Sequence, residues 1–199
     1  MKILIDNNPL EQTIPVPQTF PEFCEQMMEI LLARNLSIGT CEFDGTVVSS
    51  LEEAHDLFSR CEICKIASIP LVVALEAALA HKCAEGRRLE SECEALVTEA
   101  LLGEPTEIAS RWHSICGDIK AQIGFLPRLS GLLTEPQINQ LVDRQLKDLG
   151  KVMQALHTAF NNADTLEISD TIELRLLPWL RQLRAFLENC LQIVKTLHR

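Results

Sequence analysis

The stretch LSIGTCEFDGTVVS, residues 36–49, carries apolar or β-branched residues on both sides of Asp44-Gly45. A tight turn between two strands needs positive φ at its centre, which Gly adopts freely and Asp tolerates. The stretch therefore predicts a β-hairpin. It also separates a sheet-containing beginning from a remainder in which every segment has helical period.

Upstream of the hairpin, Lys2 to Asp6 reads as a first strand, Asn7-Asn8-Pro9 as a turn and Glu11 to Val16 as a returning strand. Pro15 and Pro17 remove backbone donors there, which confines that strand to an edge. Thr19 and Glu22 form a capping box for a helix whose first turn tolerates Pro21. Phe20, Phe23, Met27, Ile30 and Leu31 lie on one face of that helix and should cover the sheet, with Asn35 as the stop. Downstream, Ser50-Leu51-Glu52-Glu53 offers a second capping box for a short helix through Phe58. Cys61 to Ile69 reads as the last strand, ended by Pro70.

The order strand, strand, helix, strand, strand, short helix, strand, with its Phe43-Asp44-Gly45 turn, resembles the β-grasp or ubiquitin-like fold. The resemblance covers about the first third of the chain. It implies a binding module, or else a sulfur or protein carrier of the kind that ends in Gly-Gly. Ile66-Ala67-Ser68-Ile69-Pro70 stands in place of that tail and runs into a helix, so carrier chemistry is not expected.

From Pro70 onward the pattern is helical. Leu71 to Leu102, unbroken, would be about 48 Å long, with Leu75, Leu79, Leu89, Cys93, Leu96 and Ala100 as its seam. Gly86 falls where a seam residue belongs and marks either a close neighbour or a break. Gly103-Glu104-Pro105 is a strong stop. A second helix runs from about Thr106 to Phe125 with Ile108, Trp112, Ile115, Ile119 and Ile123 inward, ended by Gly124, Pro127 and Gly131. Thr134-Glu135-Pro136-Gln137 caps a third, striped by Ile138, Leu141, Gln145, Leu149, Val152, Leu156 and Phe160. The fourth starts near Asp170, with Glu173 at the capping-box position, and carries Leu176, Leu180, Leu183, Phe186, Leu187, Cys190, Leu191 and Val194. Pro178 should kink it or delay its start. Short loops between striped helices predict an antiparallel four-helix bundle.

Composition narrows the function classes. Hydrophobic residues make up 47% and charged residues 23% of the 199, with no Tyr, seven Phe and two Trp, so an aliphatic globular core is expected. The formal charge is −10, with 4 bases against 11 acids in residues 1–70 and 14 against 17 in the rest. No basic face able to neutralise several phosphates is present, which argues against a nucleic-acid partner. The first residues do not form a signal peptide, and the apolar run Ile69 to Ala80 is well short of the ~20 residues a membrane span needs. A reduced, cytoplasmic protein is the expectation, its eight cysteines acting mainly as small buried hydrophobes.

Reactive groups are sparse. Cys61-Glu62-Ile63-Cys64 is the one Cys-x-x-Cys, and no second pair has finger-like spacing. His81, Cys83 and Cys93 could complete a zinc site only if the long helix folded back. On a regular strand, residues 61 and 64 point to opposite faces. Trp112-His113, with Asp118 and Lys120, reads as a stripe tryptophan beside a solvated histidine, and His157 likewise neighbours the stripe residue Leu156. Neither histidine has the His-x-x-Lys-Gly surroundings of phosphotransfer bundles. No Glu-x-x-His repeat, phosphate-cradling glycine loop or nucleophile elbow occurs.

The sequence thus predicts an α+β chain: a β-grasp-like domain over residues 1–69 and an all-α antiparallel four-helix bundle over 70–199. The expected function is non-catalytic, a protein-binding, regulatory or scaffold role with no assigned catalytic, cofactor or metal residue. The alternative is a thiol-redox or zinc protein using Cys61 and Cys64. Trp179, beside the kink, is either a docking residue or one packed between the two domains. The long first bundle helix could also pair with its copy in a homodimer.

Overall fold

A computed structural model describes residues 1–10, 17, 19–48, 51–102, 105–133 and 136–197. The chain is α+β: a mixed five-stranded sheet first, then a helical region. It divides into two compact units, residues 1–78 with 194–199 and residues 79–193.

In the first unit, strands β1 (Lys2–Ile5), β2 (Asn8–Pro9), β3 (Leu36–Phe43), β4 (Thr46–Val47) and β5 (Ile63–Pro70) lie in the order β2-β1-β5-β3-β4. β1 and β5 run parallel at the centre, and the other neighbours are antiparallel. The expected hairpin forms, with Asp44 at φ 47° and Gly45 at φ 90°. The first turn differs from expectation. Asp6 and Asn7 occupy its centre at φ 50° and 66°, so Asn8–Pro9 pairs with Ile5 and Leu4 instead of turning. Asn and Asp are the non-glycine residues that adopt this left-handed conformation most readily. The strand expected at Glu11 to Val16 lies outside the described residues, as does Ser50 of the second capping box.

Two structural aspartates hold β5. Asp44 accepts hydrogen bonds from the Glu62 and Ile63 amides at 3.0 and 2.8 Å. Asp6 accepts from the Ser68 amide at 2.8 Å and from its hydroxyl at 2.6 Å. Each aspartate therefore shapes a turn with its backbone and secures the central strand with its carboxylate. Between β3 and β5 the register shifts at Gly39. A Cβ there would lie 2.7 Å from Ile69 Cγ2 and 2.9 Å from the Ala67 carbonyl, so only glycine fits.

Helix α1 (Phe20–Leu32) starts with the predicted box: Thr19 Oγ1 accepts from the Glu22 amide, and the Glu22 carboxylate accepts from the Thr19 amide. Its buried face of Phe20, Phe23, Met27 and Leu31 packs with Ile5, Phe43, Ala54, Cys64 and Ile66. Phe58, closing helix α2 (Leu51–Phe58), joins Phe20, Phe23 and Phe43 with ring centroids 5.3 to 6.3 Å apart.

Helix α3 (Leu71–Leu102) continues unbroken through Gly86, and the unit boundary falls within it. Gly86 is buried against Arg184 of the last helix, where a Cβ would meet the Arg184 side chain at an ordinary 3.8 Å. Helix α4 (Pro105–Leu133) passes through Gly124, Pro127 and Gly131, which the sequence reading takes as its end. Its buried stripe explains the continuation: Ile108, Ile115, Ile119, Gln122, Leu126 and Leu129 keep helical spacing past an exposed Pro127. Proline removes one hydrogen bond there, but two more buried leucines hold the last turns. Helix α5 (Pro136–Asn161) buries Val142, Leu149, Val152, Leu156 and Ala159, whereas the expected stripe residue Leu141 is exposed. The Thr134-Glu135 cap and the Ile138 side chain lie outside the described residues.

The last helical run begins earlier than Asp170. Asp164 accepts from the Glu167 amide at 3.0 Å and caps α6 (Thr165–Thr171), leaving Asp170 and Glu173 inside the run. One π-helical turn (Ile172–Leu176) then leads into α7 (Leu177–Leu197), with the Leu177 amide donating to the Ile172 carbonyl. Pro178 cannot donate to the residue four back, and the wider turn absorbs that missing bond.

Within the second unit the helix pairings are antiparallel. Glu94, Glu90 and Arg87 on α3 meet Arg181, Arg184 and Glu188 on α7 in reverse order. Glu99 and Arg88 on α3 meet Arg111 and Asp118 on α4 the same way. Trp112 of α4 stacks on Phe160 of α5 at 5.6 Å, while Ser130 bonds Asn139 further along. Most of these ion pairs are solvent-exposed, so they set orientation more than stability.

Candidate functional site

Side-chain alternation brings sulfur together on one face of the sheet. Cys41 stands opposite Ile66 and Phe43 opposite Cys64, so the two cysteines sit on a diagonal across the β3–β5 pair. Their Sγ atoms are 3.6 Å apart. Cys24 of α1 and Cys61, just before β5, pack against the same apolar cluster, and the Cys61 thiol lies 3.1 Å from Met1 Sδ. The expectation that residues 61 and 64 face opposite ways is thus corrected. Cys61 precedes the strand, where strict alternation does not apply, and it turns toward the same core as Cys64.

The two contacting thiols differ in environment. Cys64 is fully buried, and its contact with Cys41 together with burial pushes its pKa far up. Cys41 is half-buried, and the hydrogen bond from Cys64 lowers its pKa. Cys64 therefore keeps its proton and Cys41 is the readier thiolate. Burial raises Cys24 and Cys61, making both poorer nucleophiles. All eight cysteines are thiols.

The other singled-out residues do not converge. His113 and Lys120 are exposed on α4, and Asp118 is engaged by Arg88 at 3.0 Å. His157 is exposed and bonds Asn161 at 3.1 Å. His81 pairs with Glu85 on its own helix, while Cys83 and Cys93 are buried elsewhere along α3. Among the described residues, no three of His, Cys, Asp or Glu are placed together to hold a metal ion. Among the described residues, no helix is long and apolar enough to cross a membrane. Comparison with family models, with curated proteins and with solved structures finds no match.

Trp179 is only 4% exposed, and its indole N–H donates to the Gln145 carbonyl of α5 at 2.9 Å. It is a packing residue of the second unit, not an exposed docking residue. Apolar surface lies elsewhere. Leu101 and Leu102, at the end of α3, are 55% and 83% exposed, and Leu166, at the start of α6, is 61% exposed. The Ser169 hydroxyl donates to the Val97 carbonyl at 3.3 Å, tying α6 to α3 about one turn from these leucines. The glycine and proline after Leu102 mark the end of α3, but no local pattern indicates the Ser169–Val97 contact.

Proposed function

We propose that this chain is a non-catalytic, protein-binding protein of regulatory or scaffold type, a β-grasp-like domain joined to an antiparallel four-helix bundle. The central parallel pair β1–β5 with α1 across one face supports the first assignment. The reversed order of contacts between α3 and its neighbours α4 and α7 supports the second. The observation that carries the function is the trio Leu101, Leu102 and Leu166, large apolar side chains open to solvent near one α3–α6 contact. Large apolar side chains left open to solvent near one helix contact mark a candidate docking surface. The partner is a protein with a complementary apolar face, in a reducing cytoplasm that suits eight thiols. A second copy of the chain is one such partner, which sedimentation at micromolar concentration would detect.

Capture of the full chain from cells at native expression tests this reading, with Leu102→Asp/Leu166→Asp beside wild type. Both substitutions are at exposed positions, so thermal unfolding should be nearly unchanged while the partner is lost. An identical set of captured proteins from both chains, or none from either, counts against it.

A second reading, thiol-redox or zinc chemistry at Cys61 and Cys64, is favoured by their packing against one cluster. Elemental analysis with thiol counting tests it. Bound metal or fewer than eight titratable thiols supports it, and a metal-free chain with eight ordinary thiols ends it.

A further inference from the structure

The geometry points to Cys41 and Cys64 as a peroxide-oxidised dithiol that closes into a cross-strand disulfide. This assigns the linkage to a pair separated by 23 positions, not to the Cys-x-x-Cys motif, and it rests on the thiol reading only in requiring that these thiols react. Their sulfurs are already in contact at 3.6 Å on a shared sheet face, and bond formation must close that to about 2.05 Å. Diagonal neighbours stand farther apart at Cα than directly paired residues, so closing the bond takes a shift of the two strands as well as rotation of the side chains. Cys61, at the rim of the same core, has its thiol against Met1 Sδ at 3.1 Å.

The chemistry divides between the two residues. The Cys41 thiolate attacks one peroxide oxygen; the O–O bond breaks, the sulfur is oxidised by two electrons to a sulfenic acid, and hydroxide leaves. The Cys64 sulfur then attacks the Cys41 sulfur, forming S–S as S–O breaks, and the departing oxygen leaves as water with the Cys64 proton. Hydroxide from the first step takes up the proton that Cys41 gave up, so two thiols and one peroxide give one disulfide and two waters. The half-buried Cys41, with the hydrogen bond from Cys64 favouring its thiolate, suits the attacking role, and Cys64 is the thiol whose sulfur already stands against it to resolve the sulfenic acid. The new bond would close a loop containing the Asp44-Gly45 turn, β4 and α2, and would restrict the unfolded chain.

The test treats the full chain with a small excess of hydrogen peroxide, blocks remaining thiols, and cleaves after glutamate. Glu25, Glu42 and Glu62 lie between Cys24, Cys41, Cys61 and Cys64, so each cysteine falls on its own peptide. The expected product is a Cys41–Cys64 linked pair, lost on reduction, with the urea midpoint raised in the oxidised chain. Cys61→Ser should form the same link, whereas Cys41→Ser should not. A Cys61–Cys64 link would overturn this assignment and leave the motif-based reading standing. Peroxide treatment that leaves all of these cysteines reduced, or carries Cys41 on to sulfinic acid without a link, would overturn it too.

Discussion

Asp6 shows how much one side chain does in the first unit. Its backbone takes the left-handed turn, and its carboxylate accepts two bonds from Ser68, which hold its pKa below the ordinary 3.8. A group whose folded pKa is depressed contributes stability above its unfolded pKa and loses it as pH falls through the folded value. The urea midpoint of the wild type should therefore drop between about pH 5 and about pH 2 more steeply than that of Asp6→Asn. Equal slopes would show that the carboxylate contributes nothing. The cysteines of the second unit have the opposite sign. Burial pushes Cys93 up to about 12 and Cys190 up to about 11, from 9.0. Their contribution is intact below the unfolded value and is lost as pH rises toward the folded ones. A Cys93→Ala/Cys190→Ala chain should lose less stability between pH 8 and about pH 11 than wild type, measured as the shift in urea midpoint. At this scale the sequence was partly legible. The Asp44-Gly45 turn and the Thr19–Glu22 box are local and could be read, whereas Asp6 acts on a residue 62 positions away that no local pattern indicates.

Helical elements follow buried stripes more closely than punctuation. Pro127 and Gly131 read as stops, yet Leu126 and Leu129 carry α4 past them. Pro127 is exposed, so Pro127→Ala should restore a backbone donor and stabilise the chain by up to ~3 kcal/mol. Gly86→Ala, whose methyl would rest on Arg184 at ordinary contact distance, should add about 1 kcal/mol from helix propensity. Equilibrium unfolding of each variant checks both, and a loss of stability in either would mean the local backbone needs the native residue. The π turn has its own signature in the spacing of apolar residues. Ile168, Ile172, Leu176 and Leu180 are buried at three successive intervals of four, which in a regular α-helix would walk the stripe around the axis by about 40° each time. One wide turn keeps these residues on one face. Leu141 misled for a simpler reason: it and Val142 are both apolar, and only packing decides which goes inside.

Across the whole chain, the α+β organisation was legible because periods of two and of 3.6 residues alternate early and only the longer period persists. The thiol pair was not, since the Cys-x-x-Cys spacing drew attention to Cys61 while strand register brought Cys41 to Cys64. The exposed leucines are equally hidden, because the apolar pattern of α3 does not say which of its last residues packing leaves open. Hydrogen–deuterium exchange on the full chain, free and in its captured complex, tests the docking proposal most directly. The account predicts slowed exchange in peptides covering residues 97–102 and 165–170. A stable complex with those peptides unchanged, and protection confined to other surfaces, would contradict it.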